Sequence, residues 1–479
     1  MTSEGSRVGK ENAAKPHLTD GKGMTMLKRT LFKGGCVLTL DKSLGDFQSA
    51  DVLVEGSKIV EVRPSIENVA DCEVIDASNM IVMPGFVDTH RHTWESVVRN
   101  VGADWSLTKY LNSIYFGNIG AKLRPEDGYI ANLLGALEAL DAGVTTLLDW
   151  SMIISPDHTD ELIRGLKESG IRAVFAHGIP GDGDYWSRDS QFKHTEDSRR
   201  VKKEYFSSDD QLLTMALAIR GPEFSSWSAT VHDIQLAREL DVLCSMHLGF
   251  GTWGPVDHSI EKLRREKLLG PDLNFVHSNT IRPEELKAIA DAGASVTVTP
   301  EIEMMMGHGY PATGLILASG GKPVLGVDVV TSTGGDMFAQ MKFALQAERA
   351  RANDRMLAEG KMPGKLTLSA REVLEFATIE GARALKLDHK IGSLTPGKEA
   401  DIIMIRNTDL NLFPMNDPVG AVVQCAHAGN VDSVFVAGKA VKRGGKLLYK
   451  NMDRMLRLAR EARDHIFSQY GNPDGLWLL

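Results

Sequence analysis

Hydrophobic positions change their period several times along the chain. From residue 27 to about 80 they fall in short alternating runs at 35–40, 50–54, 58–62 and 73–75, separated by Asp and Gly turns. Alternation puts every second side chain on one face and predicts a small antiparallel sheet. From residue 82 onward, apolar strand-like runs alternate with longer helical stripes. The runs cover 82–92, 143–149, 171–176, 212–219, 242–247, 273–277, 294–299 and 323–328. Helix-type segments such as 129–141, 159–169, 230–240 and 282–291 lie between them. Eight strand–helix alternations predict an α/β fold of the (β/α)8 TIM-barrel type. A doubly wound parallel sheet is the runner-up. It would want a phosphate-binding glycine turn after its first strand, and none follows residues 82–92.

Past the barrel, residues 390–450 return to short strands. Both chain ends therefore have β character, and the economical arrangement is one β-sandwich built from 27–83 and 390–450, flanking a barrel at 84–389. Residues 451–470 form an amphipathic stripe of Met452, Met455, Leu456, Ala459, Ile466 and Phe467 at helical spacing, opening a C-terminal helix and tail (451–479). That helix is expected to pack on its own barrel or on a partner subunit. Residues 1–26 are polar without an apolar period and read as a disordered leader.

Composition narrows the class. The net charge of −9 over 479 residues argues against nucleic acid or an anionic membrane as partner, since both select basic patches. The four cysteines are scattered, without a C-x-x-C pair, which suits reduced thiols in a cytoplasmic protein. No run of 18 apolar residues occurs. The expectation is a soluble cytoplasmic protein, a homo-oligomer, acting on a small molecule.

The chemistry concentrates at strand ends. His90 and His92 are separated by one residue at the end of the first run, so both imidazoles project to the same side while Arg91 points away. His247 ends the fifth run, His277 the sixth and Asp328 the eighth. Barrels place their chemistry at C-terminal strand ends. Converging there, these residues offer imidazole nitrogens and an anionic oxygen, a donor set for one divalent ion, zinc first, with iron or manganese as alternatives.

The H-x-H on the first strand, His on the fifth and sixth and Asp on the eighth resemble the amidohydrolase superfamily. So do residues 377–385 and 391–402, which read ATIEGARAL and IGSLTPGKEADI. The resemblance spans about residues 27–450. Within the superfamily the chain is most similar to the branch of cytosine deaminase, guanine deaminase and the triazine hydrolases. It implies a metal barrel with a flanking β-sandwich that hydrolyses C–N and related bonds. Three departures matter. The fourth strand has no lysine to be carboxylated, which points to a single metal, although Glu223 beyond it is a candidate to bridge a second ion. Deaminases of this branch carry a proton-shuttling glutamate three residues after the fifth-strand histidine, and here that position is Phe250. Some relatives place a histidine after the second strand, where this chain has Ser151-Met152.

The expected metal ligands are His90, His92, His247 and Asp328. Asp328 is also the expected general base toward a metal-activated water, and the resemblance implies that His277 polarises the substrate. With Phe250 unable to carry a proton, Glu301, Glu303 and His308 after the seventh strand are candidates to deliver one to the leaving group. Trp94, Phe250 and Trp253 are expected at the substrate, in an aromatic mouth suited to a flat, neutral, cyclic molecule. Residues 178–210 are a candidate lid. The leading function is hydrolysis of a non-peptide C–N bond by an aminohydrolase or amidase. A metal-dependent lyase such as a decarboxylase is the alternative, and a non-catalytic scaffold ranks last because all five metal-set positions are intact.

Overall fold

The computed structural model describes residues 28–478 apart from 117, 180, 182, 473 and 477; the leader expected at 1–26 lies outside the described residues. Two sheets organise the described residues. The first has nine strands and draws on both ends of the sequence. Arg29–Val37 sits beside Phe47–Glu55, which pairs Lys58–Arg63, while Cys72–Asp76 and Met80–Pro84 run parallel to Arg29–Val37. Met80–Pro84 then joins the C-terminal strands through Ile402–Arg406, followed by Val431–Val436, Lys439–Arg443 and Lys446–Leu447. Phe32 and Phe435 stand on non-neighbouring strands, yet their rings meet edge to face at 4.9 Å. The sheet therefore wraps around its own core of Val37, Val52, Ile59, Ile402 and Met404, as the sandwich expected from both chain ends.

The second sheet is the barrel. Its parallel strands follow chain order: Phe86–Arg91, Val144–Trp150, Arg172–His177, Leu213–Ile219, Leu243–Leu248, Leu273–His277, Ser295–Val298 and Pro323–Leu325. These strands are buried on both faces, which explains why they read as near-continuous apolar runs instead of alternating ones. The eighth strand closes on the first through a parallel bridge between Arg91 and Asp328. Gly326 makes that approach possible, because a Cβ there would lie 2.9 Å from both the Cβ and the carbonyl oxygen of His90.

The helices begin earlier than the apolar stripes alone indicate. Pro125–Asp141 and Pro156–Ser169 start at prolines in the first turn, where the missing N–H costs nothing. Met452–Tyr470 packs on the chain's own barrel, burying Met455, Ala462, Ile466 and Phe467, and Arg454 donates to the Tyr129 hydroxyl at 3.2 Å. Among the described residues, no helix is long and apolar enough to cross a membrane.

One buried ion pair ties the two sheets together. Arg172, opening the third barrel strand, donates to Asp401 from Nε at 2.8 Å and Nη2 at 3.1 Å, and both side chains are almost fully buried. Asp401 also accepts from the Ala437 backbone N–H at 2.7 Å. Removing one member leaves the other charge uncompensated. Asp401→Ala is expected to cost about 3–5 kcal/mol in chemical denaturation, whereas the apolar pair Arg172→Met with Asp401→Leu recovers most of that loss. Equal destabilisation of the single and double variants would show that packing, and not charge, is at stake.

Candidate metal centre

Four side chains converge at the C-terminal mouth of the barrel: His90, His92, His247 and Asp328, with one ligand atom from each lying within 4.8 Å of all the others. His90 and His92 turn their Nε2 atoms toward Asp328 Oδ1 at 3.3 and 3.4 Å. His247 Nε2 lies 3.1 Å from His90 Nε2. His277 stands one step further out, its Nε2 3.8 Å from Asp328 Oδ2. The backbones of His277 (φ 74°) and Asp328 (φ 69°) are left-handed, a conformation that costs about 1–3 kcal/mol in a residue other than glycine. The barrel holds both residues there.

Electrostatics favour a bound cation. Burial lowers the His92 and His277 imidazoles to about 4 and pushes His247 well below its ordinary value, so the rings are neutral and carry lone pairs. Burial pushes the Asp328 carboxyl up, but hydrogen bonds from His90 and His92 outweigh it and hold the group well below the usual range. Neutral imidazole nitrogens facing each other and a carboxylate, out of water, form the donor set of a divalent metal. The residues present therefore fit the ion that the sequence implies.

Partners behind the cluster fix the rings. Tyr115 Oη lies 3.0 Å from His92 Nδ1. Glu303 Oε1 lies 3.2 Å from His277 Nδ1, and the Thr299 hydroxyl stands equally close to that nitrogen. Trp150 packs on the His247 ring with centroids 4.2 Å apart. Glu95, fully buried three residues after His92, accepts from the Tyr110 hydroxyl at 2.6 Å, and burial raises its carboxyl well above the ordinary value. Tyr115, Thr299, Trp150 and Glu95 carry no ligand-like spacing in the sequence. Only the position of Glu95, one helical turn beyond the H-x-H, offered a signal.

The cavity over this cluster is apolar. Phe250 lines it, together with Phe116, Trp186, Phe224, Ile302 and Met306. The other expected substrate contacts fall elsewhere. Trp94 is fully buried behind His92 and Tyr115, outside the cavity lining. Trp253 packs tilted against Phe250 and Phe224, with ring centroids 4.9 and 5.0 Å apart, and is not part of the cavity lining. Of the three residues considered as proton donors, His308 alone lines the cavity. Both its ring nitrogens are buried without a hydrogen-bond partner, and burial lowers it to about 3, so it is neutral. Glu301 is held by Gln340 at 2.8 Å, and Glu303 is engaged behind His277. Burial raises these carboxyls to about 7 and about 8. Residues 178–210 contribute Trp186 to the lining, and Arg220 pins that segment by donating to the carbonyls of Tyr185 and Phe192 and the Ser190 hydroxyl.

Glu223 is not among the clustered donors. Its two oxygens accept from the Gly249 N–H, both at 3.0 Å, and Oε1 also accepts from the Ser259 hydroxyl at 3.1 Å. It braces the loop that carries Phe250. That loop, residues 249–254, has G-x-G-x-x-G spacing, but after the fifth strand. A Cβ on Gly249 would lie 2.2 Å from Ile281, so tight packing on the next loop accounts for that glycine without a phosphate.

Comparison with known proteins places this geometry in context. The family model described as "Amidohydrolase family" matches residues 81–441. A 5-methylthioadenosine/S-adenosylhomocysteine deaminase from Pyrococcus abyssi is 28% identical over 440 residues, covering 89% of this chain and 96% of the relative. A 5'-deoxyadenosine deaminase from Methanothermobacter thermautotrophicus is 27% identical over 426 residues, covering 87% of this chain and 95% of the relative. Among solved structures, an adenosine deaminase from Xanthomonas campestris with bound zinc superimposes with a TM-score of 0.79 at 23% identity, covering 92% of this chain and 98% of that one. A zinc complex of atrazine chlorohydrolase from Arthrobacter aurescens gives 0.77 at 20% identity, covering 91% and 100%. These solved structures share the fold.

The brace under the Phe250 loop has a measurable pH signature. Burial raises the Glu223 carboxyl to about 8, against about 4.3 in an unfolded chain. A raised folded-state value means that its stabilisation is complete below the unfolded value and is lost as pH rises through about 8. The wild-type protein should therefore lose stability relative to Glu223→Gln by up to about 1.4 kcal/mol per pH unit between about pH 5 and 8. Parallel denaturation curves of the two proteins across that range would refute it.

Proposed function

The chain belongs to the amidohydrolase family, and on that premise we propose that it holds one zinc ion through His90, His92, His247 and Asp328 and hydrolyses a small cyclic or aromatic substrate. It is a metal-dependent hydrolase acting on non-peptide carbon–nitrogen bonds. The observation that carries the reading is the convergence of three imidazoles, those of His92 and His247 held neutral by burial, and an ionised carboxylate at the barrel mouth. The chemistry a bound ion supplies there is acidification of a water molecule, so that it attacks at neutral pH. A single ion is supported by the absence of a fourth-strand lysine and by the engagement of Glu223 with Gly249 and Ser259.

The chain's own groups divide the remaining work. Asp328, ionised and facing the cluster, accepts the proton of the attacking water and returns it to the departing nitrogen. His277 presents Nε2 to the same space while Glu303 and Thr299 hold its Nδ1, so an N–H on Nε2 can stabilise negative charge developing on the substrate. The apolar walls exclude water from the reacting groups.

Elemental analysis of active protein is expected to give one metal equivalent per chain. Asp328→Asn, which keeps the shape but cannot accept the proton, should lower kcat by about 10²–10⁴ with metal still detectable. Two equivalents per chain, or near-normal turnover by the variant with its metal in place, would remove the single-ion scheme or the role of Asp328 respectively.

A further inference from the structure

The cavity is poor in groups that could recognise a polar substrate. Outside the metal cluster and His277, its polar side-chain lining among the described residues reduces to His308, the indole N–H of Trp186 and the hydroxyls of Tyr110 and Tyr115. Both hydroxyls are already engaged, Tyr110 with Glu95 at 2.6 Å and Tyr115 with His92 at 3.0 Å. No lysine, arginine, glutamate, serine, threonine or amide side chain lines the cavity among the described residues. The walls are instead aromatic and interlocked: Trp186 meets Tyr115 at 5.4 Å and Phe224 at 6.0 Å, and Phe224 meets Phe250 at 6.1 Å.

This lining bears on two chemistries. A nucleoside brings ribose hydroxyls that must be hydrogen-bonded once buried, and each one left unpaired weakens binding by roughly tenfold or more. Adding water across an aromatic C=N bond also requires a proton on the ring nitrogen, and the position nearest the cluster on the fifth-strand loop is Phe250, which carries none. Attack on a carbonyl needs less. Its developing charge sits on one oxygen, which a single N–H donor can meet.

Building on the hydrolytic reading above, we propose that the substrate is an uncharged, apolar N-aryl or N-alkyl carboxamide, urea or carbamate, its hydrophobic group lodged between Trp186, Phe224 and Phe250, and not a nucleoside. Water adds to the carbonyl carbon and gives one proton to Asp328. The C–N bond then breaks, its electron pair stays on nitrogen, and the proton held by Asp328 joins it. The products are a free amine and, from a carboxamide, urea or carbamate respectively, a carboxylic acid, a carbamic acid or a carbonic acid monoester, and no further reactant is needed.

The test uses the metal-loaded protein with two sets of probes. Acetanilide, phenylurea and ethyl N-phenylcarbamate are followed by aniline release; adenosine and 5'-deoxyadenosine are followed by ammonia release. At least one aniline-releasing probe should exceed both nucleosides in kcat/KM by at least about a hundredfold, two unpaired hydroxyls at tenfold each. Trp186→Ala and Phe224→Ala should raise KM for that probe about tenfold with little change in kcat, the mark of binding shared by ground and transition states. Ammonia release from a nucleoside matching or exceeding aniline release overturns the proposal. If neither set is hydrolysed, calorimetric binding separates the two readings. Binding of the phenyl probes and not of the nucleosides upholds the substrate class while the hydrolytic reading fails. Preference for nucleosides, or no binding by either set, overturns the class.

Discussion

Two backbone hydrogen bonds, from the Asp328 N–H to the His90 carbonyl and from the His92 N–H to the Asp328 carbonyl, both 2.9 Å, join the eighth barrel strand to the first. Everything at the centre depends on this join. It closes the barrel at the height where three of the four clustered donors leave the backbone. The strand pairing that satisfies the peptide groups therefore also fixes the spacing of the imidazoles and the carboxylate. A slip of one residue at this join would turn each side chain to the opposite face and dissolve the donor set. Gly326 admits the approach, and the left-handed backbone at Asp328 aims its carboxylate inward.

Around that join the protein builds a dry shell. Trp150, Tyr115, Thr299 and Glu303 each contact a cluster imidazole or His277, so few ring positions are left to chance. Above the cluster the walls turn aromatic, with Phe250 among them. Burial then acts in two directions. It keeps His92 and His247 neutral and able to act as ligands, and it keeps the carboxyls of Glu95, Glu223 and Glu303 from ionising in the ordinary range. Asp328 escapes because two ring nitrogens reach it. The ionised group is the one proposed to accept the proton.

The same economy ties the barrel to its flanking sheet. The chain passes from the terminal sheet into the barrel at Gly85, whose N–H reaches the Asp401 carbonyl at 3.0 Å. Asp401 meanwhile holds Arg172 at the foot of the third barrel strand. The first and third barrel strands are thus anchored to one C-terminal segment, and the wrapped sheet acts as a base for the barrel.

Much of this was legible in the sequence, for a definable reason. Strand runs buried on both faces must be continuously apolar, so all eight barrel strands stood out between the helical stripes. The side-chain period of two put His90 and His92 on one side, and the rule that barrels carry chemistry at C-terminal strand ends drew in His247, His277 and Asp328. Tertiary structure alone decided what depends on contacts between distant segments. It set Trp94 behind His92, outside the cavity, and brought Trp186 from residues 178–210 into the lining. It turned Glu303 toward the back of His277, left His308 facing the cavity without a partner, and gave Glu223 to the Gly249 N–H. A loop carboxylate or indole has no period to betray its direction. Its role is fixed only when another loop, far along the chain, folds against it.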